Sequence, residues 1–536
     1  MKTTRRQFLK RGAYGCAAAA AFPYLSFGAV ANAERKQLAN RKRRIIFNDD
    51  GDDVWAPEAA TPEGFVGVRL IHMRGTQADT LFYCTTQSFN YFTHATNVGE
   101  VFTKQEGPFE HNNMRVLMER GTDPLKLAVE FAHANGYEAF WTLRMNDIHD
   151  AFTPPLWPQW KTEHPETVLG VSGDWTSAPP GGQRRWGSGV DFALQSVRDR
   201  AVALVAEVAR NYDVDGIDLD WMRHPIFFKE TLDGQPATPE HTAALTDVVR
   251  QCRKLVEDAG AERGRPMLLS VRVPLTVEKG LYVGVDTGNW LAEELPDFVT
   301  TGGGYIPFSM PVREVAALAA PREIPVYPCI SCSGMLRRAP YGPGIPYSIE
   351  GWRGAAANAF RNGGAGISLF NLFPAPGEDG HNAFVRAVFS EIGEPQTLAG
   401  KDKLFCLDTA AHLDGCGYTN HVVPYAQCLP KPLLADGALE VALPVGEEVS
   451  RAASLRMRLQ TDAETPLTAA FNGAEITLQA DAELTERFGM RWQSGAAPIE
   501  AAKAGDNAVL VRRGRAEGAI NLCSLELAVD YGGNPA

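Results

Sequence analysis

The sequence predicts an α/β protein: a (β/α)8 TIM barrel over residues 42–395, followed by a β-sandwich over residues 401–536. Three observations predict this. Eight short apolar runs, mostly separated by helical patterns, imply a parallel sheet. Eight such repeats in about 350 residues are typical of a closed barrel with long loops. From about residue 401, helical periodicity gives way to short strand-like runs joined by turns that contain Gly, Asp and Asn.

The first region supplies the barrel elements in order. Its predicted strands are 45–47, 79–85, 138–144, 214–220, 267–273, 297–301, 325–330 and 366–371. Its clearest predicted helices are 124–135, 195–211, 239–259 and 350–362, the first with Asp123 as N-cap and Gly136 as stop. The alternative is an open doubly wound sheet, which usually carries a glycine-rich phosphate turn after its first strand, and none is evident here.

The C-terminal region contains four clear strand-like runs, at 439–443, 454–459, 467–471 and 508–511. We therefore expect a β-sandwich of about 135 residues as an accessory domain. A sandwich does not by itself indicate what the domain binds.

The N-terminus predicts a cleaved export signal over residues 1–33. Thr4 to Lys10 resembles a twin-arginine signal, an apolar run follows, and Ala31-Asn32-Ala33 is a cleavage-site pattern. The expected partner of the precursor is the twin-arginine export machinery, and the expected location is periplasmic or extracellular. The alternative is a membrane anchor, but the run is rich in Ala and contains Pro23. No later run reaches about 18 apolar residues, so no membrane span is expected in the mature protein.

Charge and cysteine content narrow the class further. Residues 1–33 contain five basic and no acidic residues, so cleavage changes the formal net charge from −12 to −17. This argues against nucleic-acid binding by charge alone. Eight cysteines remain after cleavage, and their pairing cannot be read from their spacing. Cys329 and Cys332 form a CxxC that lacks the partner pattern of a redox or zinc site, so we expect a structural role.

The fourth predicted strand carries the strongest functional signal. Asp218 and Asp220 alternate with Ile217 and Leu219, so both carboxylates point to one face. An apolar strand with two carboxylates on one face is costly unless they have a task. In barrel enzymes, the catalytic residues lie at the carboxyl ends of the strands.

Other polar or aromatic residues follow several of the predicted strands and should meet Asp218 and Asp220 at one rim. These candidates are Asp50, Asp52, Arg144, Asn146, Asp147, His149, Asp150, Trp221, Arg223, His224, Arg272 and Asn371.

The stretch Asp215 to Pro225, with the pattern Asp-Gly-Ile-x-x-Asp-x-x-Arg-x-Pro, resembles the family-10-like bacterial glycosyl hydrolases. It resembles more distantly the DGxDxDxE strand of glycoside hydrolase family 18. The resemblance covers residues 42–395 and implies a barrel enzyme that cleaves a poly- or oligosaccharide without a cofactor or metal. The chain departs from family 18 at the last acidic position, the proton donor, which is Met222 here. That family's substrate-assisted mechanism is therefore not carried over.

Glycoside hydrolysis usually needs two carboxylates, and crowding raises the pKa of one of them. Asp220 is expected to be the acid or nucleophile, with Asp218 deeper and tuning it. The second carboxylate is expected to be Asp147 or Asp150.

The neighbouring polar residues are expected to serve the substrate. Arg223 and Arg272 could orient a carboxylate or bind an acidic or sulfated sugar. His149 and His224 could bind hydroxyls or relay protons. The alternatives are a structural aspartate pair held by arginines, and loop capping by Asp147 and Asp150.

Tryptophans of the long loop between the third and fourth strands fit a sugar site, because flat sugar faces stack on indole rings. They are Trp157, Trp160, Trp175 and Trp186, with Trp221 after Asp220; the alternative is packing within the loop.

Two rival functions stay open. One is a non-catalytic glycan-binding protein on a degenerate barrel, which Met222 favours. The other is a metal-dependent barrel hydrolase, for which His-x-His on the first strand would be expected, whereas that strand offers only aspartates.

Overall fold

In the computed structural model of the protein, eight parallel strands close into a barrel. They are β1 Ile45–Asp49, β2 Ala78–Cys84, β3 Glu138–Arg144, β4 Gly216–Asp220, β5 Leu268–Val273, β6 Phe298–Thr301, β7 Val326–Ser331 and β8 Ile367–Phe370. Each strand pairs with its neighbours in sequence, and β8 pairs with β1. All eight predicted strands and the closed barrel are confirmed, which rules out the open doubly wound sheet.

Helices lie before β1, between successive strands and after β8. The helices of this region are α1 over 33–39, α2 Pro62–Val68, α3 Met114–Glu119, α4 Pro124–Ala134, α5 Gln159–Glu163, α6 Gln195–Asn211, α7 Lys229–Leu232, α8 Pro239–Arg263, α9 Val277–Tyr282, α10 Thr287–Ala292, α11 Val312–Ala319, α12 Ile349–Arg361, α13 Asp379–Glu391 and α14 Pro395–Leu398. The predicted cap of α4 is confirmed, since the Asp123 side chain accepts from the Lys126 amide at 3.0 Å.

The amino end of the barrel is filled by large apolar side chains. Ile46, Phe82, Phe140, Leu268, Phe298 and Tyr327 form one buried cluster, and Ala39 of α1 belongs to it. The buried Arg43 guanidinium lies 4.3 Å from the centre of the Phe298 ring. Because this end is packed with hydrocarbon, the polar interior positions are left to the carboxyl end.

The C-terminal region forms two antiparallel sheets. Its strands are β9 Lys403–Cys406, β10 Lys431–Leu433, β11 Ala438–Val445, β12 Ser454–Thr461, β13 Leu467–Phe471, β14 Ala474–Ile476, β15 Gln479–Ala480, β16 Arg491–Ala497, β17 Gly505–Arg513 and β18 Ile520–Asp530, and its helix is α15 Ala482–Phe488. One sheet has the order β9-β18-β12-β16-β15, with β10 on β18, and the other has the order β11-β17-β13-β14. The expected β-rich region after the barrel is confirmed.

The structure describes residues 33–171, 186–302, 308–331, 348–409, 429–514, 518 and 520–533. The expected export signal, apart from its last residue, therefore lies outside the described residues, as do Trp175, Cys332, Cys416 and Cys428. Cys84, Cys252, Cys329 and Cys523 are buried free thiols, and Cys406 is also buried. Within the described ranges, no helix combines the length and apolar character needed to span a bilayer.

Candidate active site

The interior of the barrel becomes polar towards the carboxyl end of β4. Ile217 and Leu219 face the core between strands and helices, so Asp218 and Asp220 face the barrel interior. The strand register sets Asp218 between Thr142 of β3 and Ser270 of β5. Burial and the nearby Asp220 raise the pKa of Asp218 to about 7, although the Ser270 hydroxyl, Arg272 and the Thr142 hydroxyl oppose the rise. Near neutral pH this carboxyl group therefore holds a proton for a large part of the time.

Asp220 lies one step nearer the mouth of the barrel and has different partners. Its Oδ2 accepts a hydrogen bond from Nη1 of Arg272 at 3.1 Å, and its Oδ1 accepts from the Met222 amide at 2.8 Å. The Arg272 guanidinium is 4.2 Å from the centre of the Phe370 ring at the end of β8. The two aspartates of β4 are therefore unlike: a cation binds Asp220, while hydroxyl groups flank Asp218.

A second polar group follows β3. Asp147 is fully buried; its Oδ2 accepts from Nη1 of Arg144 at 3.0 Å, and its Oδ1 lies 2.7 Å from Nδ1 of His149. Burial acts to raise the pKa of Asp147. His149, through its charge when protonated and its hydrogen bond, and Arg144 outweigh burial and hold that pKa well below its ordinary value. Asp147 is therefore ionised at neutral pH.

Asp50 and Arg223 complete this side of the rim. Arg144 bridges two carboxylates, because its Nη2 lies 2.7 Å from Oδ1 of Asp50. Burial acts to raise the pKa of Asp50, but Arg144 and Arg223 hold it below its usual value. Nη2 of Arg223 lies 3.0 Å from Nε2 of His149, and its guanidinium is 5.3 Å from the Phe370 ring centre. Arg223 and Arg272 thus share one aromatic ring and connect the two halves of the rim.

His224 lies under this layer. Its ring centroid is 5.2 Å from that of His149 and 5.6 Å from that of Trp186. Its Nδ1 accepts from the Ile148 amide at 3.3 Å. Burial first, and then Arg223, hold the pKa of His224 well below its ordinary value. The imidazole of His224 is therefore neutral near pH 7.

Asn146 and Asp150 support the loops instead of facing the barrel mouth. The Asn146 amide donates to the carbonyl groups of Val190 and Ile226, at 3.1 and 2.6 Å. The Asp150 carboxylate binds Nζ of the fully buried Lys161 at 2.5 Å and the Ser188 hydroxyl at 2.8 Å. Because every one of these contacts is internal, the structure assigns both side chains to loop support.

Two further predicted site residues, Asp52 and Trp221, have their contacts away from the Asp218–Asp220 pair, and a third, Asn371, lies at the end of β8. Asp52 forms an ion pair with Arg69, which also binds Asp49 at 2.9 Å. The Trp221 side chain is fully buried, with ring centroids 5.3 Å from Phe227 and 5.6 Å from Trp290. Trp221 therefore packs in the core and offers no face to a sugar. Asn371 follows β8 with a left-handed backbone at φ 57°.

The loop tryptophans differ in exposure. Trp186 is almost fully buried beside His224, whereas Trp157 and Trp160 are partly exposed. The Trp160 ring centroid is 5.7 Å from that of Phe89. Packing against residues of the neighbouring loops therefore accounts for Trp186 and for much of Trp160.

Sequence reasoning missed Thr142, Ser270, Phe370 and Lys161. The first three occupy inward-facing positions on strands that were correctly predicted, so strand alternation could have found them. No sequence signal linked Lys161 to Asp150, since their contact depends on the path of a long loop. Met222, at the position of the missing acid, is fully buried in the apolar core.

Asp147, His149 and His224 are the one group of histidine and carboxylate donors, among the described residues, that could surround a single ion, with donor atoms within 4.8 Å of one another. Both ring nitrogens of His149 and Nδ1 of His224 already have hydrogen-bond partners. Arg144 and Arg223 add two positive charges beside the group. This donor set therefore fits a divalent cation poorly.

Fold and site together define a (β/α)8-barrel protein with carboxylates, arginines and histidines at the carboxyl rim, followed by a β-rich region. No known family model matches the sequence, and no curated protein matches it. The chain is similar to solved structures that carry glycosidase names.

One is α-L-fucosidase isoenzyme 2 from Paenibacillus thiaminolyticus, with 12% identity, a TM-score of 0.42, and 68% of this chain and 51% of that chain covered. Another is a GH36 α-galactosidase from Geobacillus stearothermophilus, with 12% identity, a TM-score of 0.35, and coverage of 91% and 56%. A third is a class V chitinase from Pseudomonas fluorescens, with 11% identity, a TM-score of 0.33, and coverage of 64% and 98%. The chain spans about half the length of the first two, and the barrel assignment rests on the strand order given above.

Proposed function

We propose that the protein is an exported glycoside hydrolase that cleaves the glycosidic bonds of a poly- or oligosaccharide, with Asp220 as its reacting carboxylate. The observation that carries the proposal is the pair of unlike carboxylates on the inward face of β4. Arg272 binds Asp220, and the hydroxyl-bearing residues Thr142 and Ser270 flank Asp218 in the strand register. Export through the twin-arginine machinery is part of the proposal and rests on the N-terminal sequence alone.

The pair can hold a proton at the pH where glycosidases commonly need one. Burial together with the Asp220 charge raises the pKa of Asp218 to about 7. Asp220 lies nearer the mouth, so it is the member that can pass this proton to the oxygen of a leaving sugar. The arrangement matches the general need for one protonated and one ionised group in glycoside hydrolysis.

The second carboxylate of the reaction, which must be ionised, is Asp147 in this proposal, and not Asp150. Asp150 is committed to Lys161 and Ser188, whereas Asp147 is in contact with His149 at the rim. Arg144 binds Asp147, Arg272 binds Asp220 and Arg223 contacts His149. These three arginines give the rim cationic groups that could recognise an acidic or sulfated sugar.

A non-catalytic glycan-binding protein is the second candidate. The observation that favours it is Met222, which occupies the family 18 acid position and is buried in the apolar core. A binder would use the same polar rim but would have no use for the proton held on Asp218.

A glycan panel separates the two candidates. Purified full-length protein is incubated with neutral, sulfated and uronic-acid polysaccharides, and new reducing ends and bound glycan are both measured. We expect at least one glycan to release reducing ends. Binding without reducing ends, unchanged in Asp220→Asn, would contradict the proposal and favour the binder.

A further inference from the structure

Phe370 is the last residue of β8 and faces the interior of the barrel. Its neighbour Leu369 belongs to the core between strands and helices, so alternation turns Phe370 inwards. β8 lies four strands from β4 in either direction around the closed barrel, so the ring stands opposite the strand that carries Asp218 and Asp220. Only 1% of Phe370 is exposed, so the ring is enclosed by the protein and offers no open face to a sugar.

Two guanidinium groups lie over this one ring. The central carbon of Arg272 is 4.2 Å from the ring centre, and that of Arg223 is 5.3 Å away. Both distances are within about 6 Å, the range in which the electron-rich face of an aromatic ring attracts a cation. This attraction is stronger when water is excluded, and the Arg272 side chain is only 6% exposed. The ring therefore limits the positions that the two long arginine side chains can take.

Each arginine connects the ring to one of the two carboxylates of the proposed reaction. Nη1 of Arg272 donates to Oδ2 of Asp220 at 3.1 Å. Nη2 of Arg223 donates to Nε2 of His149 at 3.0 Å, and Nδ1 of His149 then donates to Oδ1 of Asp147 at 2.7 Å. The ring thus lies at the meeting point of two chains of contacts, one that ends at Asp220 and one that ends at Asp147.

We propose that Phe370 is a positioning residue that fixes the orientation of Asp220 relative to Asp147, a role that rests on the proposed glycosidase function. It acts only through Arg272 and Arg223. Two carboxylates that act on one glycosidic bond must both be held in a narrow range of positions, because small displacements in an active site cost much of the rate. An arginine without the ring can still bind its partner, but it can do so from several rotamers. Loss of the ring face should therefore lower kcat and leave KM nearly unchanged, since the enclosed ring does not contact the sugar.

The test replaces Phe370 with phenylalanines that carry one, two or three fluorine atoms on the ring. Fluorine draws electron density from the ring face and so weakens its attraction for a cation, while the ring keeps nearly the same shape. The matched control is the same series at Phe298, which lies at the amino end of the barrel with the Arg43 guanidinium 4.3 Å from its centre. kcat and KM are measured on the best glycan of the panel, and the unfolding midpoint is measured for every variant.

We expect kcat to fall stepwise with each fluorine at Phe370, by about 10-fold or more for three, with KM within about twofold of the wild type. The Phe298 series should lower the unfolding midpoint but keep the wild-type kcat. Phe370→Tyr, which retains the ring face, should keep more activity than Phe370→Leu, which retains only apolar volume. If Phe370→Leu does not fold, the fluorinated series still gives the answer, because it preserves the shape of the side chain.

Failure of this inference differs from failure of the proposed function. An unchanged kcat in the trifluorinated Phe370 protein, an equal fall in the Phe298 series, or a change confined to KM would overturn the positioning role. Release of reducing ends by the wild type would in that case still support the glycosidase. If the wild type cleaves no glycan in the panel, the proposed function fails, and the positioning role of Phe370 fails with it.

Discussion

At the residue scale, the site depends on Asp218 and Asp220. They lie two residues apart on the inward face of β4 and have different surroundings. The carboxylate of Asp220 is bound by a guanidinium and an amide, whereas Oδ1 of Asp218 has no hydrogen-bond partner of normal geometry among the described residues. An enclosed carboxyl group in such surroundings favours its neutral form. Asp218 therefore lowers the free energy of unfolding as the pH approaches neutrality, and its proton stays next to Asp220.

The raised pKa of Asp218 predicts that Asp218→Asn changes how the free energy of unfolding depends on pH. Burial raises the pKa of Asp218 to about 7 from an ordinary value of 3.8, so the folded protein binds a proton that the unfolded chain releases. The contribution of Asp218 to stability is full below pH 4 and is lost as the pH rises through 7. Between pH 5 and pH 8 the wild type should lose on the order of 2–3 kcal/mol from this group, and the Asn variant should not.

Denaturant unfolding of both proteins at pH 5 and pH 8 measures this difference. Comparing the two proteins cancels the contributions of other titrating groups. Equal pH dependence in wild type and Asp218→Asn would show that Asp218 is ionised throughout.

The sequence predicted the site residues whose positions follow from strand alternation or from the end of a strand. It did not predict the positions that depend on side-chain packing. Asp218, Asp220, Arg144, Asp147, His149, Arg223, His224 and Arg272 do meet at one rim. Trp221 follows Asp220 in sequence, but the turn after β4 directs its indole into the core. Asn146 and Asp150 were predicted to be site residues because they follow β3. In the structure, their side chains form hydrogen bonds with loop residues further along the chain. No local pattern encodes those loop paths.

At the element scale, the segment before β1 closes the amino end of the barrel. Arg43 is fully buried, with Nε 2.7 Å from Oε2 of Glu138 at the start of β3. It also donates to the carbonyl groups of Ala39 and Leu38, at 2.8 and 3.0 Å. One side chain therefore ties α1, β1 and β3 together. The sequence showed only a basic run here, and nothing in that run distinguished Arg43 from its neighbours.

Arg43→Ala should destabilise the protein by about 3–5 kcal/mol, because it leaves the buried Glu138 carboxylate with only the exposed Arg41 guanidinium, at 3.8 Å, as a cation. The double variant Arg43→Met with Glu138→Gln should recover at least about 1 kcal/mol of that loss. Thermal and denaturant unfolding measure both changes. A double variant less stable than the single variant would show that the ion pair is not the main contribution.

At the scale of the whole molecule, the C-terminal sheets are packed directly on the barrel. Gly354 of α12 approaches the backbone of β9 so closely that an added Cβ would lie 2.2 Å from the Leu404 carbonyl oxygen. The buried Asp408 carboxylate accepts from the Phe308 and Ser309 amides, at 2.6 Å each. The sequence predicted both regions but not this junction, because a glycine within a helix does not reveal what it approaches.

Gly354→Ala should therefore destabilise the protein by about 1–3 kcal/mol through forced separation of α12 and β9. The matched control is Gly380→Ala in α13, where an added Cβ meets no atom within 4 Å. That change should be neutral or stabilise by up to about 1 kcal/mol. Unfolding midpoints of the two variants check the prediction, and equal midpoints would contradict the close junction.

The main proposal is that Asp220 is the reacting carboxylate of a barrel glycosidase. Its most direct test is kcat for Asp220→Asn on the best glycan of the panel, beside Asp258→Asn, a surface aspartate on α8 paired with Lys254. We expect kcat to fall by about 100-fold or more in an Asp220→Asn protein that is still folded, and to stay unchanged in Asp258→Asn. Near-normal turnover in a folded Asp220→Asn protein would contradict it.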